Sequence, residues 1–278
     1  MDRGHLYNKV KEGIPENLKT ELKRIRLTKS VTRVLGARWK PNHKIVAIVP
    51  SYDCNLKCIN CNQSCRQAPS TECMSVEQIE KFVEESKGQG RRWELIRILG
   101  GEPTLHPQIW DILRLLLAYK RDYSLNTTIH FYTNGLGSKV NGVLATIPEE
   151  IRIMNSKKTS VTQKFFSINV APADEQVYKE LNYLNGCHVT TFCGIGLTRY
   201  GYYHCEVAGS IDRVFGLDIG RKELPLSTDQ MFDLFEVFCK YCGYFKHENA
   251  RTDEEVISPT WRQAYEAYQI KRPTLSLY

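Results

Sequence analysis

The chain has 278 residues, 42% of them hydrophobic and 25% charged, with a formal net charge of +7. This is the balance of a folded protein with one sizeable core and a smaller appended part, which excludes a disordered chain. No apolar run reaches membrane-spanning length, the N-terminus lacks the apolar stretch of a secretory signal, and Lys and Arg are dispersed. Membrane and nucleic-acid partners are therefore not expected, and a cytoplasmic location is.

Residues 1–40 read as an N-terminal helical extension. Its basic stretch, Lys19 through Arg38, is interleaved with Leu22, Ile25, Leu27, Val31, Val34 and Leu35, the pattern of an amphipathic helix with a solvated basic face. Attraction of an anionic substrate is the second reading of the same charges. Lys44–Val49 is a short apolar run and predicts a buried strand. Ser75 with Gln78 three residues on predicts a capped helix carrying Val76, Ile79, Phe82 and Val83 on one face, ended by Gly88 and Gly90.

Trp93–Leu99 predicts the second strand, and Pro107 opens a helix with Ile109, Ile112, Leu113, Leu116 and Leu117 inward. Thr127–Thr133, Ile151–Met154 and Lys164–Val170 follow as strands, and Asp174–Leu184 as a helix. Strands alternating with helices imply an α/β fold of parallel βαβ units. A closed eight-stranded barrel takes roughly 250 residues, and only about 145 lie between Lys44 and Cys187, so the barrel is partial. Beyond Cys187, Thr190–Leu197 and Tyr202–Glu206 predict a hairpin. Ser227 and Gln230 are placed to cap a helix bearing Leu234, Phe235 and Phe238, and Pro259 onward predicts a last helix. The expected parts are 1–40, a core at 41–186, a cysteine-bearing module at 187–249, and a helix and tail at 250–278.

The ten cysteines fall into two groups: Cys54, Cys58, Cys61, Cys65 and Cys73, then Cys187, Cys193, Cys205, Cys239 and Cys242. In a reducing compartment, clustered thiols point to metal or redox chemistry rather than disulfides. Cys54, Cys58 and Cys61 form C-x3-C-x2-C on the loop after the first strand. Three thiolates at that spacing can hold a four-iron cluster and leave one iron open, although short cysteine spacings suit zinc equally well.

Gly100-Gly101-Glu102-Pro103 follows the second strand, where glycines allow close backbone approach and a carboxylate can pair with an ammonium. A cysteine loop followed one βα unit later by this turn resembles the radical S-adenosylmethionine (SAM) superfamily. That resemblance implies a 4Fe-4S cluster on Cys54, Cys58 and Cys61 whose open iron is chelated by the methionine part of SAM, with Gly100, Gly101, Glu102 and Pro103 at the methionine amino group. It implies further SAM contacts from Asn134, which follows the third strand, and from Ser167 and Asn169. Cys65 and Cys73 are outside the pattern; both read as ordinary thiols, and either could donate a hydrogen atom to a radical.

The second group, a hairpin flanked by cysteines, then a helix and C-x2-C, resembles the twitch module, the shortened relative of the SPASM auxiliary-cluster domain. It implies one auxiliary 4Fe-4S cluster on Cys205, Cys239, Cys242 and either Cys187 or Cys193. The implied chemistry is reductive cleavage of SAM and hydrogen-atom abstraction, with an external one-electron reductase such as flavodoxin or ferredoxin. Oxidation or epimerisation of a carbohydrate- or aminocyclitol-like small molecule ranks first, and peptide modification second. A zinc-binding scaffold is the reading from another class. His106, His188, His204 and His247 read as structural or solvent-facing.

Overall fold

The computed structural model describes residues 15–161, 165–246, 251–252 and 254–278. Lys164 of the predicted fifth strand, residues 1–14 of the predicted N-terminal extension, and His247 lie outside them.

The centre of the fold is a six-stranded sheet in the order β4-β3-β2-β1-β6-β7. β1 (Ile45–Val49), β2 (Leu95–Ile98), β3 (Thr128–Thr133) and β4 (Ile151–Asn155) are mutually parallel neighbours. β6 (Ile195–Thr198) joins the other side of β1, again parallel, with Ile48 opposite Leu197. β7 (Gly201–Tyr203) returns antiparallel to β6. Val46, Ala47, Ile48 and Val49 are all buried, as expected for a central parallel strand covered on both faces. The fold is α/β with a parallel-rich sheet, consistent with a partial (βα) barrel.

The outer face is packed by α3 (Val76–Gly88), through Ile79, Phe82 and Val83, and α4 (Ile109–Asp122), through Ile112, Leu113 and Leu116. The Ser75–Gln78 capping box is present in both directions and sets where α3 begins. In the N-terminal extension the expected single helix is two, α1 (Glu16–Arg26) and α2 (Lys29–Leu35). The break is at Thr28, whose hydroxyl caps α2 by accepting from the Val31 backbone N–H.

Several expectations are corrected. β5 is only Phe165–Phe166 and pairs antiparallel with β8 (Arg251–Thr252) in a separate ribbon, so it is not a barrel strand. The segment expected as a helix at 174–184 is a series of short 3-10 turns, Pro172–Asp174, Gln176–Tyr178 and Tyr183–Asn185. The hairpin is present, but residues 190–192 belong to a short helix, α6 (His188–Phe192), and the hairpin is continuous with the central sheet because β6 pairs with β1.

Three of the described helices were not predicted, α6 and two more. α5 (Ser138–Leu144) follows β3, and α7 (Glu206–Phe215) occupies residues whose start was read as strand. α7 is buried along nearly its whole length; its apolar residues Val207, Ile211 and Val214 recur at helical spacing, a signal that the strand reading of its first residue passed over. Ser227 and Gln230 do not cap α8 (Phe232–Phe238); Asp229 instead accepts from the Met231 backbone N–H at 2.8 Å. The tail forms α9 (Pro259–Ile270).

Candidate functional site

The loops that leave the carboxyl ends of β1, β2 and β3 meet at one end of the sheet, where open α/β sheets bind ligands. Gly101 makes the meeting possible. Its backbone N–H donates to Ser51 O at 3.0 Å, that of Glu102 donates to Asp53 O at 2.7 Å, and a Cβ at position 101 would lie 2.0 Å from Asp53 O. Only glycine allows the second loop to lie so close to the residue before Cys54.

Cys54, Cys58 and Cys61 line a common cavity of about 270 Å³ together with Gly100, Gly101 and Asn134. The residues of the three sequence motifs thus converge on one space. Asn134 is fixed there: its Nδ2 donates to Asn55 Oδ1 at 2.8 Å, and its Oδ1 accepts from the Leu136 N–H at 2.7 Å. Glu102 departs from expectation. It is 0% exposed, outside the residues lining the cavity, and its carboxylate accepts from Thr104, from Thr133 Oγ1 at 2.9 Å and from the Asn134 N–H at 2.8 Å. Pro103 is buried in the following 3-10 turn. Ser167 and Asn169 are also buried but lie just past β5 and do not line the cavity.

Of the two surplus thiols, Cys65 lines the cavity and Cys73 does not; Cys73 Sγ donates to Thr71 O at 3.3 Å instead. Burial pushes the Cys54 thiol up to about 12. The Cys65 thiol, hydrogen-bonded to Cys61, draws Cys61 down to about 7 and is itself raised.

The loop is held from behind by residues the sequence reading missed. Arg213 of α7 is 1% exposed. Its guanidinium donates to Ala68 O at 2.7 Å, Gln63 O at 3.0 Å and Tyr268 Oη at 2.9 Å, and lies over the Tyr52 ring at 4.2 Å. Asn60 Nδ2 donates to Glu254 O at 2.7 Å, and Ser64 Oγ bonds Tyr265 Oη at 3.0 Å. The only local signal for Arg213 was a charged pair, Asp212-Arg213, inside an otherwise apolar stretch.

The second cysteine group converges too. Cys187, Cys205, Cys239 and Cys242 line one small, closed space of about 10 Å³ with His204, Phe238 and Phe245 among its walls. Cys193 is not among them; it lies against Arg97 and Glu206, on the side of the first cavity. Gly196 sets this geometry, because a Cβ there would come within 2.6 Å of Glu206 Cα, so β6 accepts the start of α7 only with glycine. Burial raises Cys205, Cys239 and Cys242 and pushes Cys187 up to about 12, so loading a metal would require these thiols to release their protons.

His204 stacks on Phe235 at 4.2 Å and is lowered to about 3 by burial, which keeps it neutral. His106 is structural, its Nε2 bonded to Met74 O at 2.9 Å, and His188 packs its ring against Tyr244.

Among the described residues, no three or more His, Cys, Asp or Glu side chains stand close enough to hold one metal ion. A four-iron cubane asks for something different: thiolates spaced more widely around a shared space. The first cavity presents three thiols around a shared space that Gly100 and Gly101 also line. The second has the right donors, and seating a cluster in its small volume requires the thiols to turn outward.

A family model described as the Radical SAM superfamily matches residues 48–186. Among curated proteins, a "Probable GTP 3',8-cyclase" of Pyrococcus horikoshii is 35% identical over 75 residues, 27% of this chain and 23% of that protein. The chain therefore matches less than a quarter of that relative's length. Among solved structures, BtrN in complex with AdoMet and 2-DOIA is similar at 14% identity and a TM-score of 0.46, over 78% of this chain and 98% of that one. Streptococcus suis SuiB bound to its precursor peptide SuiA is similar at 14% identity and a TM-score of 0.35, over 83% of this chain and 75% of that one. No helix among the described residues is long and apolar enough to cross a membrane.

Proposed function

The chain belongs to the radical SAM superfamily, and from that premise we propose that it cleaves SAM reductively and oxidises a carbohydrate- or aminocyclitol-like small molecule by hydrogen-atom abstraction. The observation that carries this reading is the convergence of Cys54, Cys58 and Cys61 with Gly100, Gly101 and Asn134 on one cavity. When bound, the cluster and SAM supply a 5′-deoxyadenosyl radical.

The chain's own contribution is placement. Cys54, Cys58 and Cys61 would hold the cluster, three thiolates for four irons, on the cavity that the glycine loop also lines. The backbone of Gly100 and Gly101 bounds the SAM side, and Asn134 faces the same space while tying it to Asn55. Glu102 acts as a positioning residue that fixes the turn holding both glycines. We further propose a second cluster on Cys187, Cys205, Cys239 and Cys242 within residues 187–249, and an external one-electron reductase.

Cys65 favours a second reading. It is a buried thiol at the cavity that the three-cysteine pattern does not need. Return of its hydrogen atom to a substrate radical from the opposite face would give epimerisation instead of oxidation, and the thiyl left on Cys65 would take one electron from the external reductase and a proton to restore the thiol.

The test is anaerobic reconstitution of wild type and a Cys54/Cys58/Cys61→Ala variant, with iron, sulfide and zinc counted and SAM plus dithionite added. The proposal expects about eight irons in wild type and about four in the variant, with 5′-deoxyadenosine from wild type alone. Zinc in place of iron, with SAM left intact, would overturn it and favour a metal scaffold.

A further inference from the structure

Three charged side chains line the first cavity without belonging to the cysteine loop or the glycine turn: Lys158, Arg97 of β2 and Glu206, the first residue of α7. Glu206 is 4% exposed, and its Oε2 is buried with no hydrogen-bond partner. Arg97 Nε donates to Tyr132 Oη at 3.2 Å, and its guanidinium lies over the Tyr132 ring at 4.6 Å, which fixes its direction. Cys193 lies against Arg97 and Glu206. A hydroxyl both donates and accepts, so it completes Glu206 Oε2 whether the carboxyl is ionised or neutral. An ammonium only donates and would serve the ionised form alone. Arg97 stands beside this carboxylate on the cavity wall.

We propose that Arg97 and Glu206 form the anchoring pair for a neutral polyol, one hydroxyl donating to Glu206 Oε2 and a neighbouring hydroxyl oxygen accepting from Arg97. This inference rests on the proposed function and deepens it by naming the substrate class. Because Glu206 directly follows Cys205 and Arg97 lies two residues before Leu99 and the glycine turn, the anchored carbons are held between the two cysteine groups. The pair also accounts for Cys193, which supports it as a neighbour without belonging to the second cysteine ring.

The experiment is saturation-transfer NMR on the iron-reconstituted protein with SAM present. The probes are myo-inositol, an aminodeoxyinositol and N-acetylserine amide. The expected result is transfer to myo-inositol, with a dissociation constant raised about tenfold or more in Glu206→Gln and in Arg97→Met. Far-UV circular dichroism and iron content, together with Arg97→Lys, separate lost anchoring from lost folding. No transfer to myo-inositol in wild type, a preference for the amine or the peptide mimic, or wild-type affinity in both variants would overturn the inference. Nucleoside release from SAM and dithionite alone reports separately on the proposed function: if that persists while inositol fails to bind, only the anchoring pair is wrong.

Discussion

The Glu102 carboxylate accepts the backbone N–H of Asn134 at 2.8 Å and so fastens the end of β2 to the end of β3. Its other oxygen accepts from Thr104 and Thr133. The acidic residue of the glycine turn is thus fully engaged inside the protein and shapes the SAM side of the cavity from behind.

Glu102→Gln would place an amide N–H₂ where an acceptor is needed. The expected cost is about 1–3 kcal/mol for hydrogen bonds to a buried charged group. A melting temperature lower by roughly 2–10 °C follows for a protein of this size. SAM affinity should fall with iron content retained. Calorimetry and SAM titration check this, and a variant matching wild type in both would show that the clasp carries nothing.

The fourth thiol of the second group is testable by single substitutions. Cys187 faces Cys205, Cys239 and Cys242, whereas Cys193 faces Arg97 and Glu206. Cys187→Ala should lose about four irons after reconstitution and Cys193→Ala should keep them. The reverse pattern in iron and sulfide analysis would assign the ligand to Cys193.

Arg213 is a buried cation that satisfies the carbonyls of Gln63 and Ala68 in the loop following Cys61. Arg213→Met leaves those acceptors unpaired, at a cost of about 3 kcal/mol or more. Iron should be lost at the Cys54–Cys58–Cys61 site first, because that loop is the one released. Mössbauer or EPR quantification of each site in Arg213→Met reads this directly; equal loss at both sites would point to general unfolding instead.

Asp174 ties the Pro172–Asp174 turn to α9, accepting from the Thr260 backbone N–H at 3.1 Å and from the Thr260 hydroxyl. Burial alone would raise its carboxyl, but hydrogen bonds from Ser258 and Thr260 outweigh that and hold it below the usual carboxylate range. The stabilisation is present above the unfolded pKa of about 3.9 and is lost as pH falls through the lower folded value. Asp174→Asn should cost about 0.5 kcal/mol at neutral pH, after allowance for solvent screening. The gap between the two proteins should close in acid. Urea melts at pH 7 and pH 3 measure it, and a gap that is unchanged at pH 3 would contradict the assignment.

The sequence by itself determined what depends on neighbours along the chain. The apolar run before Cys54, the Ser75–Gln78 box, the C-x3-C-x2-C spacing and the glycine turn are all local patterns. Helix and strand periods and short ligand spacings are written within a few residues. They sufficed to name the α/β core and the first cysteine site.

Only the tertiary structure decided which distant groups meet. Cys187 and Cys242 come together while Cys193 turns away, Arg97 approaches Glu206 across the sheet, and Arg213 reaches the loop behind Cys61. Nothing in local spacing records such contacts, because β6 reaches β1 only after the intervening chain has crossed the sheet. The direction of Glu102 was undecided for the same reason. Its oxygens are claimed by Thr133 and Asn134, some thirty residues later in the chain, and a carboxylate goes where buried donors are closest.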